Sequence, residues 1–188
     1  MRTPLLLLDV DGVLNVVTRT PPDVWPDWQL GSASADDVTW PIRFSPTVVA
    51  QLRGWHEQGR VELQWLTTWG HDANLGLRAL LGLPELQVAG THRDAGSASA
   101  LGGASLAGVT PAAPDDLTGR WWKLDVVRRL RAEQPERLLL WVDDELRGRR
   151  NRFAEWAREA DIVPVGPQPD TGLTREDLAA IDAALSAG

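Results

Sequence analysis

The sequence predicts an α/β, Rossmann-like fold: a mostly parallel sheet with helices on both faces. Three observations carry this. Short apolar runs alternate with segments of helical period along the chain, the pattern of repeated strand–helix units. The runs in PLLLLDV (residues 4–10) and RLLLWV (residues 137–142) are continuous, as in strands buried on both faces. Both runs lead into acids, Asp9 and Asp143-Asp144. Open α/β sheets keep their ligand sites there, beyond the carboxyl ends of the strands.

The elements follow in order. Residues 4–10 are the first strand. Residues 18–45 are rich in Pro, Trp and Asp without a clean period, which predicts a long loop or a small hairpin flap. Ser45-Pro46 supplies a helix N-cap with Pro at the first helical position, and Gly59 sits where a terminating glycine belongs. Between them Val48, Val49, Leu52, Trp55 and His56 fall at helical spacing. Residues 61–67, VELQWLT, alternate Val61, Leu63 and Trp65 against Glu62 and Gln64, a strand pattern. Asp72 is placed to cap a helix through Leu81 that Gly82 and Pro84 stop. Residues 86–89 suit a short strand. Residues 90–120, rich in Gly, Ala, Ser, Thr and Pro, predict a long loop or flexible insertion.

In residues 121–133, Trp121 or Trp122, Leu124, Val127 and Leu130 share a helical face, and Pro135 ends the segment. After the strand at 137–142, residues 149–160 read as a polar helix burying Phe153, Trp156 and Ala157. Residues 161–165 suit a last strand, and Thr174-Arg-Glu-Asp177 is a capping box that opens a C-terminal helix. No repeat or internal boundary interrupts the 188 residues, so one domain is expected.

Composition narrows the chemistry. Hydrophobic residues at 43% and charged residues at 24% supply an ordinary globular core. Cysteine is absent, which removes disulfides, thiolate metal sites and cysteine nucleophiles. A net charge of −7 argues against a protein that coats polyanions. The apolar run Leu5–Leu8 is shorter than a signal core of roughly 7–15 residues. No stretch approaches the ~20 apolar residues of a membrane span. A soluble, cytoplasmic protein with no membrane partner is expected. Of nineteen basic residues only one, Lys123, is a lysine.

Asp9-Val10-Asp11-Gly12 follows the first strand directly. Two carboxylates this close repel unless a cation lies between them or one is protonated. Gly12 lets the chain turn sharply and approach a ligand. An Asx-turn would also explain the pair. An EF-hand loop would not, because it sets its glycine farther from the first Asp. Asp143-Asp144, alone readable as a helix cap, repeats the feature at a second strand end. Together the pairs form a hard-oxygen cluster of the type that binds Mg²⁺ with several waters retained. Thr67 and Thr68 end the strand at 61–67. Lys123 carries a compact point charge suited to a small space, unlike the planar guanidinium used everywhere else.

The order acid pair, Thr, Lys, acid pair resembles the haloacid dehalogenase-like (HAD) hydrolase superfamily. DVDGVLN stands as the first motif, Thr67 of WLTT as the second, Lys123 as the third and VDDE as the fourth. Receiver domains use similar parts in another order. The likeness spans nearly the whole chain. A closer resemblance is to small bacterial HAD domains associated with RNA-repair proteins. It rests on Trp65-Leu66-Thr67-Thr68-Trp69 with Ala73-Asn74, and on Trp141-Val142-Asp143-Asp144-Glu145.

The resemblance implies a HAD-type domain over residues 1–188, capless or with only a small flap at 16–45. It implies a Mg²⁺-dependent phosphohydrolase with Asp9 as nucleophile, forming an aspartyl-phosphate, and Asp11 as acid and base. An acid two residues after the nucleophile argues against a dehalogenase. Mg²⁺ would be held by Asp9, the Asp11 carbonyl and the second acid pair, with Asp144 the favoured direct ligand and Asp143 bound directly or through water. Thr67 would bind a phosphoryl oxygen and Lys123 neutralise charge. Gly12, Thr68, Trp69, His71 and Asn74 are the expected substrate contacts, although His71 would equally serve as a loop residue. The substrate class is a phosphomonoester: a small molecule, a nucleotide or a nucleic-acid end. A non-catalytic HAD-fold binding module, or a phosphotransferase using the same residues, are the alternatives. Trp25, Trp28 and Trp40 either stack on a base or pack the flap against the body. Arg147, Arg149, Arg150 and Arg152 either meet a phosphate backbone or form a solvated helix face.

Overall fold

The computed structural model describes residues 2–18, 20, 22–92, 121–147 and 151–187. Most of the expected insertion at 90–120, together with Arg149 and Arg150, lies outside them. Five strands form one parallel sheet in the order β5-β4-β1-β6-β7. They are β1 (Leu5–Leu8), β4 (Glu62–Trp65), β5 (Gln87–Val88), β6 (Leu139–Val142) and β7 (Ile162–Val165). Two further strands, β2 (Gln29–Ala35) and β3 (Val38–Phe44), pair with each other as a separate antiparallel hairpin.

β1 is the centre of the sheet, and its sequence explains why. All four leucines are fully buried. Successive side chains of a strand point to opposite faces, so Leu6 and Leu8 enter one hydrophobic cluster while Leu5 and Leu7 enter another. The first cluster takes in α1 (Pro46–Glu57) through Val48, Val49, Leu52 and Trp55, and α5 (Arg175–Ala187) through Leu178, Ile181 and Leu185. The second takes in α3 (Trp122–Glu133) through Leu124, Val127 and Leu130, and α4 (Asn151–Glu159) through Phe153, Trp156 and Ala157. This is the expected parallel α/β architecture with helices on both faces.

Two local expectations need correcting, both past β4; in β4 itself the polar Gln64 is buried along with its apolar neighbours. With helices over both faces, its amide is satisfied inside, donating to Glu62 Oε1 at 2.6 Å and to Gln87 Oε1 at 3.1 Å. The segment after Asp72 opens as a π-helical turn, Ala73–Leu77, and becomes α-helical only at α2 (Arg78–Leu81). Asp72 does not cap it; its carboxylate accepts from the Asp36 N–H of the hairpin turn. Asn74, expected at the substrate, belongs to the scaffold. Its carbonyl oxygen accepts from Trp65 Nε1 and from Leu86 N, both at 3.1 Å, and its amide donates to Leu86 O at 2.6 Å.

The hairpin turns at Asp36-Asp37, both at positive φ (48° and 61°), the conformation a two-residue hairpin turn requires and Asp tolerates. Two of the three flap tryptophans pack. Trp25 is buried with its Nε1 on Leu173 O, and the Nε1 of half-buried Trp28 donates to Pro22 O. Trp40 stays exposed. Arg147 is held by Gly166 O, and Arg152 lies over the Phe153 ring. Thr174 and Asp177 close the expected capping box reciprocally. Among the described residues no helix is long and apolar enough to cross a membrane.

Asn74→Ala should leave the Trp65 indole and the Leu86 peptide without partners. We expect a loss of about 2 kcal/mol in a urea melt; an unchanged midpoint would contradict a scaffold role.

Candidate active site

Strand register builds the site. Leu8 of β1 pairs with Trp65 of β4 on one side and Val142 of β6 on the other. The residues just past these pairs therefore emerge side by side at the carboxyl edge: Asp9 beside Asp143, with Leu66 and then Thr67 on the opposite flank. Asp9 N donates to Val142 O at 3.1 Å and Leu66 N to Leu8 O at 2.9 Å, so the ladder holds through this edge.

Lys123 enters from the first turn of α3 and is 2% exposed. Its Nζ stands 2.5 Å from Asp9 Oδ2 and 2.8 Å from Asp143 Oδ2. Aromatic packing fixes the start of that helix. Trp121 stacks on Trp141 at 4.9 Å between centroids, meets Phe153 at 5.0 Å, and donates from Nε1 to Glu145 Oε2 at 2.9 Å. The other oxygens are also committed: Asp9 Oδ1 accepts from Val10 N at 2.7 Å, and Asp143 Oδ1 from Glu145 N at 3.0 Å.

Asp144 is half-buried and completes a cluster in which one carboxylate oxygen each from Asp9, Asp143 and Asp144 lies within 4.8 Å of the others. Gly12 makes the cluster possible. Its φ is +73°, and a Cβ there would fall 2.5 Å from Asp144 Cγ. Backbone conformation and space both demand glycine.

Asp11 stands beside the cluster rather than in it. Its Oδ1 accepts from Asn15 Nδ2 at 2.7 Å and its Oδ2 from Trp69 Nε1 at 2.9 Å. Asn15 Oδ1 in turn accepts from Arg43 N of β3 at 2.8 Å. Thr67 is buried; its hydroxyl oxygen accepts from Trp69 N at 3.4 Å, and it helps hold the Asp9 carboxyl down against burial. Thr68 is exposed next to Asp11 and Trp69 on a groove wall. His71 is exposed in a turn and does not line that groove.

The structure thus brings Asp9, Asp11, Gly12, Thr67, Thr68, Trp69, Lys123, Asp143 and Asp144 together, and takes Asn74 into the scaffold. Sequence reasoning gave Asn15 no role of its own. Its signal was a lone amide inside the apolar stretch VLNVV.

The electrostatics describe a site short of positive charge. Burial pushes the Asp9 carboxyl up, against the pull of Lys123. Burial raises Asp143 to about 7; Lys123 opposes this and the Asp9 charge adds to it. Burial and then Asp9 raise Asp144 to about 6. Burial alone would lower Lys123, but Asp9 and Asp143 hold its ammonium well above the usual range. Three carboxylates face one ammonium, an excess of two negative charges. A single divalent cation cancels that excess, and an all-oxygen donor set suits a hard ion of the Mg²⁺ type.

The family model described as the HAD domain in Swiss Army Knife RNA repair proteins matches residues 5–178. No curated protein matches the chain.

The raised carboxyls set the direction of pH dependence. Between about pH 4 and pH 7 the metal-free folded chain holds more protons at Asp143 and Asp144 than the unfolded chain does. Their contribution to stability is therefore fullest near the low end of that window and is lost as pH rises through about 6 to 7. Added Mg²⁺ takes the place of those protons. It should raise the melting temperature by several degrees at pH 8 and by much less at pH 5, followed by circular dichroism. No Mg²⁺ shift at pH 8 would exclude a metal centre of this kind. Gly12→Ala should abolish the shift by displacing Asp144.

Proposed function

Because the chain belongs to the family of HAD domains found in Swiss Army Knife RNA repair proteins, we propose that it is a Mg²⁺-dependent phosphohydrolase working through an aspartyl-phosphate on Asp9. The observation that carries this reading is the buried Asp9 carboxylate, gripped by one lysine inside a cluster two charges short of neutrality. An anionic nucleophile can approach a phosphate dianion only where positive charge is concentrated.

In this reading an Asp9 oxygen attacks phosphorus, and the bond to the leaving oxygen breaks as Asp11 delivers it a proton. Asp11 then takes a proton from water, which attacks the aspartyl-phosphate, releases inorganic phosphate and restores Asp9. Asn15 and Trp69 hold both Asp11 oxygens in fixed directions, so the proton moves at a defined place. Thr67 offers its hydroxyl to a phosphoryl oxygen, and Lys123 neutralises charge on Asp9 and on the transferring group. Asp9, Asp143 and Asp144, with the Asp11 main-chain carbonyl, would hold Mg²⁺, whose charge shields the phosphoryl oxygens. The substrate is a phosphomonoester on a nucleotide or a nucleic-acid end, in keeping with the family's description, and the setting is cytoplasmic.

Hydrolysis of p-nitrophenyl phosphate should require Mg²⁺ and stop on chelation. Asp9→Asn should lower it by at least about a thousandfold. Lys123→Arg should lower it about a hundredfold while keeping the wild-type circular dichroism spectrum. Metal-free turnover, or full activity in Asp9→Asn, would overturn the reading.

A further inference from the structure

The loop after β1, the hairpin and the residues following β4 enclose a groove of about 760 Å³. Asp11, Thr68 and Trp69 stand in its wall at the catalytic end. Among the described residues five large hydrophobic side chains are exposed. Four of them, Val17 (64%), Leu30 (65%), Val38 (47%) and Trp40 (50%), line this groove. Exposed apolar side chains scattered singly need no explanation, but gathering them in one hollow marks a binding surface. Among the described residues the charged side chains of the wall are Asp11, Asp36 and Arg43. Two acids against one base make no track for a polyanion.

We propose that this groove is the leaving-group pocket, that it takes the nucleoside of a nucleoside monophosphate, and that Trp40 selects for it by stacking on the base. The proposal rests on the phosphohydrolase reading in one respect. Asp11 protonates the leaving oxygen, so whatever is bonded to that oxygen extends from Asp11 into the groove. Among the described residues the pocket offers the exposed indole face of Trp40, aliphatic neighbours and an acidic rather than basic charge balance. A flat heteroaromatic base on a neutral sugar matches all three features. A small sugar phosphate leaves the apolar wall wet, and a second phosphate meets carboxylates. Trp40 is the flap tryptophan left over for this task, since Trp25 and Trp28 are committed to packing. Hairpin and acid are also joined: Asn15 bonds the Arg43 peptide with one end of its amide and Asp11 with the other. The wall that reads the leaving group therefore fixes the group that protonates it.

Two measurements test this separately from the reading beneath it. In Mg²⁺ buffer, kcat/KM for adenosine 5′-monophosphate should exceed that for glycerol 3-phosphate at least about tenfold. Trp40→Ala should cut that ratio about tenfold, chiefly through KM, and Trp40→Phe should restore most of it. A ratio near one in the wild type, or the same ratio in Trp40→Ala, would overturn the proposal. The second measurement needs neither metal nor turnover. Adenosine, followed by its own NMR shifts, should bind wild-type protein where ribose does not, and Trp40→Ala should weaken it about tenfold. If neither phosphate is hydrolysed, the phosphohydrolase reading falls, and the adenosine titration still decides the groove. Loss of binding in Trp40→Ala supports the groove; equal binding, or none in the wild type, overturns it. A 5′-phosphorylated trinucleotide binding more than tenfold tighter than the mononucleotide would also overturn it, since a lone nucleoside would then not be the occupant.

Discussion

The ammonium of Lys123 between the Asp9 and Asp143 carboxylates is the constraint on which the rest of the site depends. The sheet brings these two acids to adjacent strand ends because β1 and β6 pair in register up to Leu8 and Val142. Buried together without a cation, they would repel strongly enough to stay protonated. Lys123 comes from another layer of the fold, and its helix must start at the right height above the sheet. The Trp121 stack on Trp141 and Phe153 does this. Trp141 lies in β6 two residues before Asp143, so one strand carries both an acid and the surface that positions its counter-ion.

A second chain of contacts runs the other way, from the active edge out to the hairpin. Asp11 leans on Trp69 and Asn15, and Asn15 leans on the β3 backbone at Arg43. Val16 N also donates to Arg43 O, so the loop after β1 and the hairpin share two hydrogen bonds at adjoining positions. Gly76 in the π-helical turn packs against the Ser34 backbone, which seats the hairpin from beneath. The hairpin is thus part of the frame that orients Asp11, even though it shares no hydrogen-bonded ladder with the main sheet.

The parallel α/β architecture and the acids at two strand ends could be read from the residues because each signal was local and redundant. An all-leucine strand has to be buried on both faces, and acids at two such strand ends have to meet if the strands are neighbours. What stayed illegible belongs to residues whose meaning depends on their partners. Alternation reports polarity and not burial, so it is silent on Gln64, whose burial Glu62 and Gln87 make tolerable. Asn74 looked available because its motif neighbours are catalytic in type, yet Leu86, twelve residues away, takes up its amide. Nothing local separates Trp40 from Trp25. The difference lies in Leu173, a residue from the far end of the chain, which accepts the Trp25 indole N–H.

The preference for lysine at this one place follows from geometry. A guanidinium offers its donors as a planar fork that matches one carboxylate edge on. Here two carboxylates must be reached at 2.5 and 2.8 Å from a single atom, and a tetrahedral ammonium can point separate N–H groups at both. That arrangement leaves Asp144 outside the lysine's hydrogen bonds, and Gly12 keeps the space that lets it stand so close. The fold therefore neutralises part of this buried charge with its own lysine and leaves the rest of the cluster's charge uncompensated. A second buried lysine or arginine would balance the charge more fully, at the cost of desolvating another ion. It would also fill the space between the carboxylates, so the incomplete charge balance is itself what leaves the cluster able to hold a metal ion.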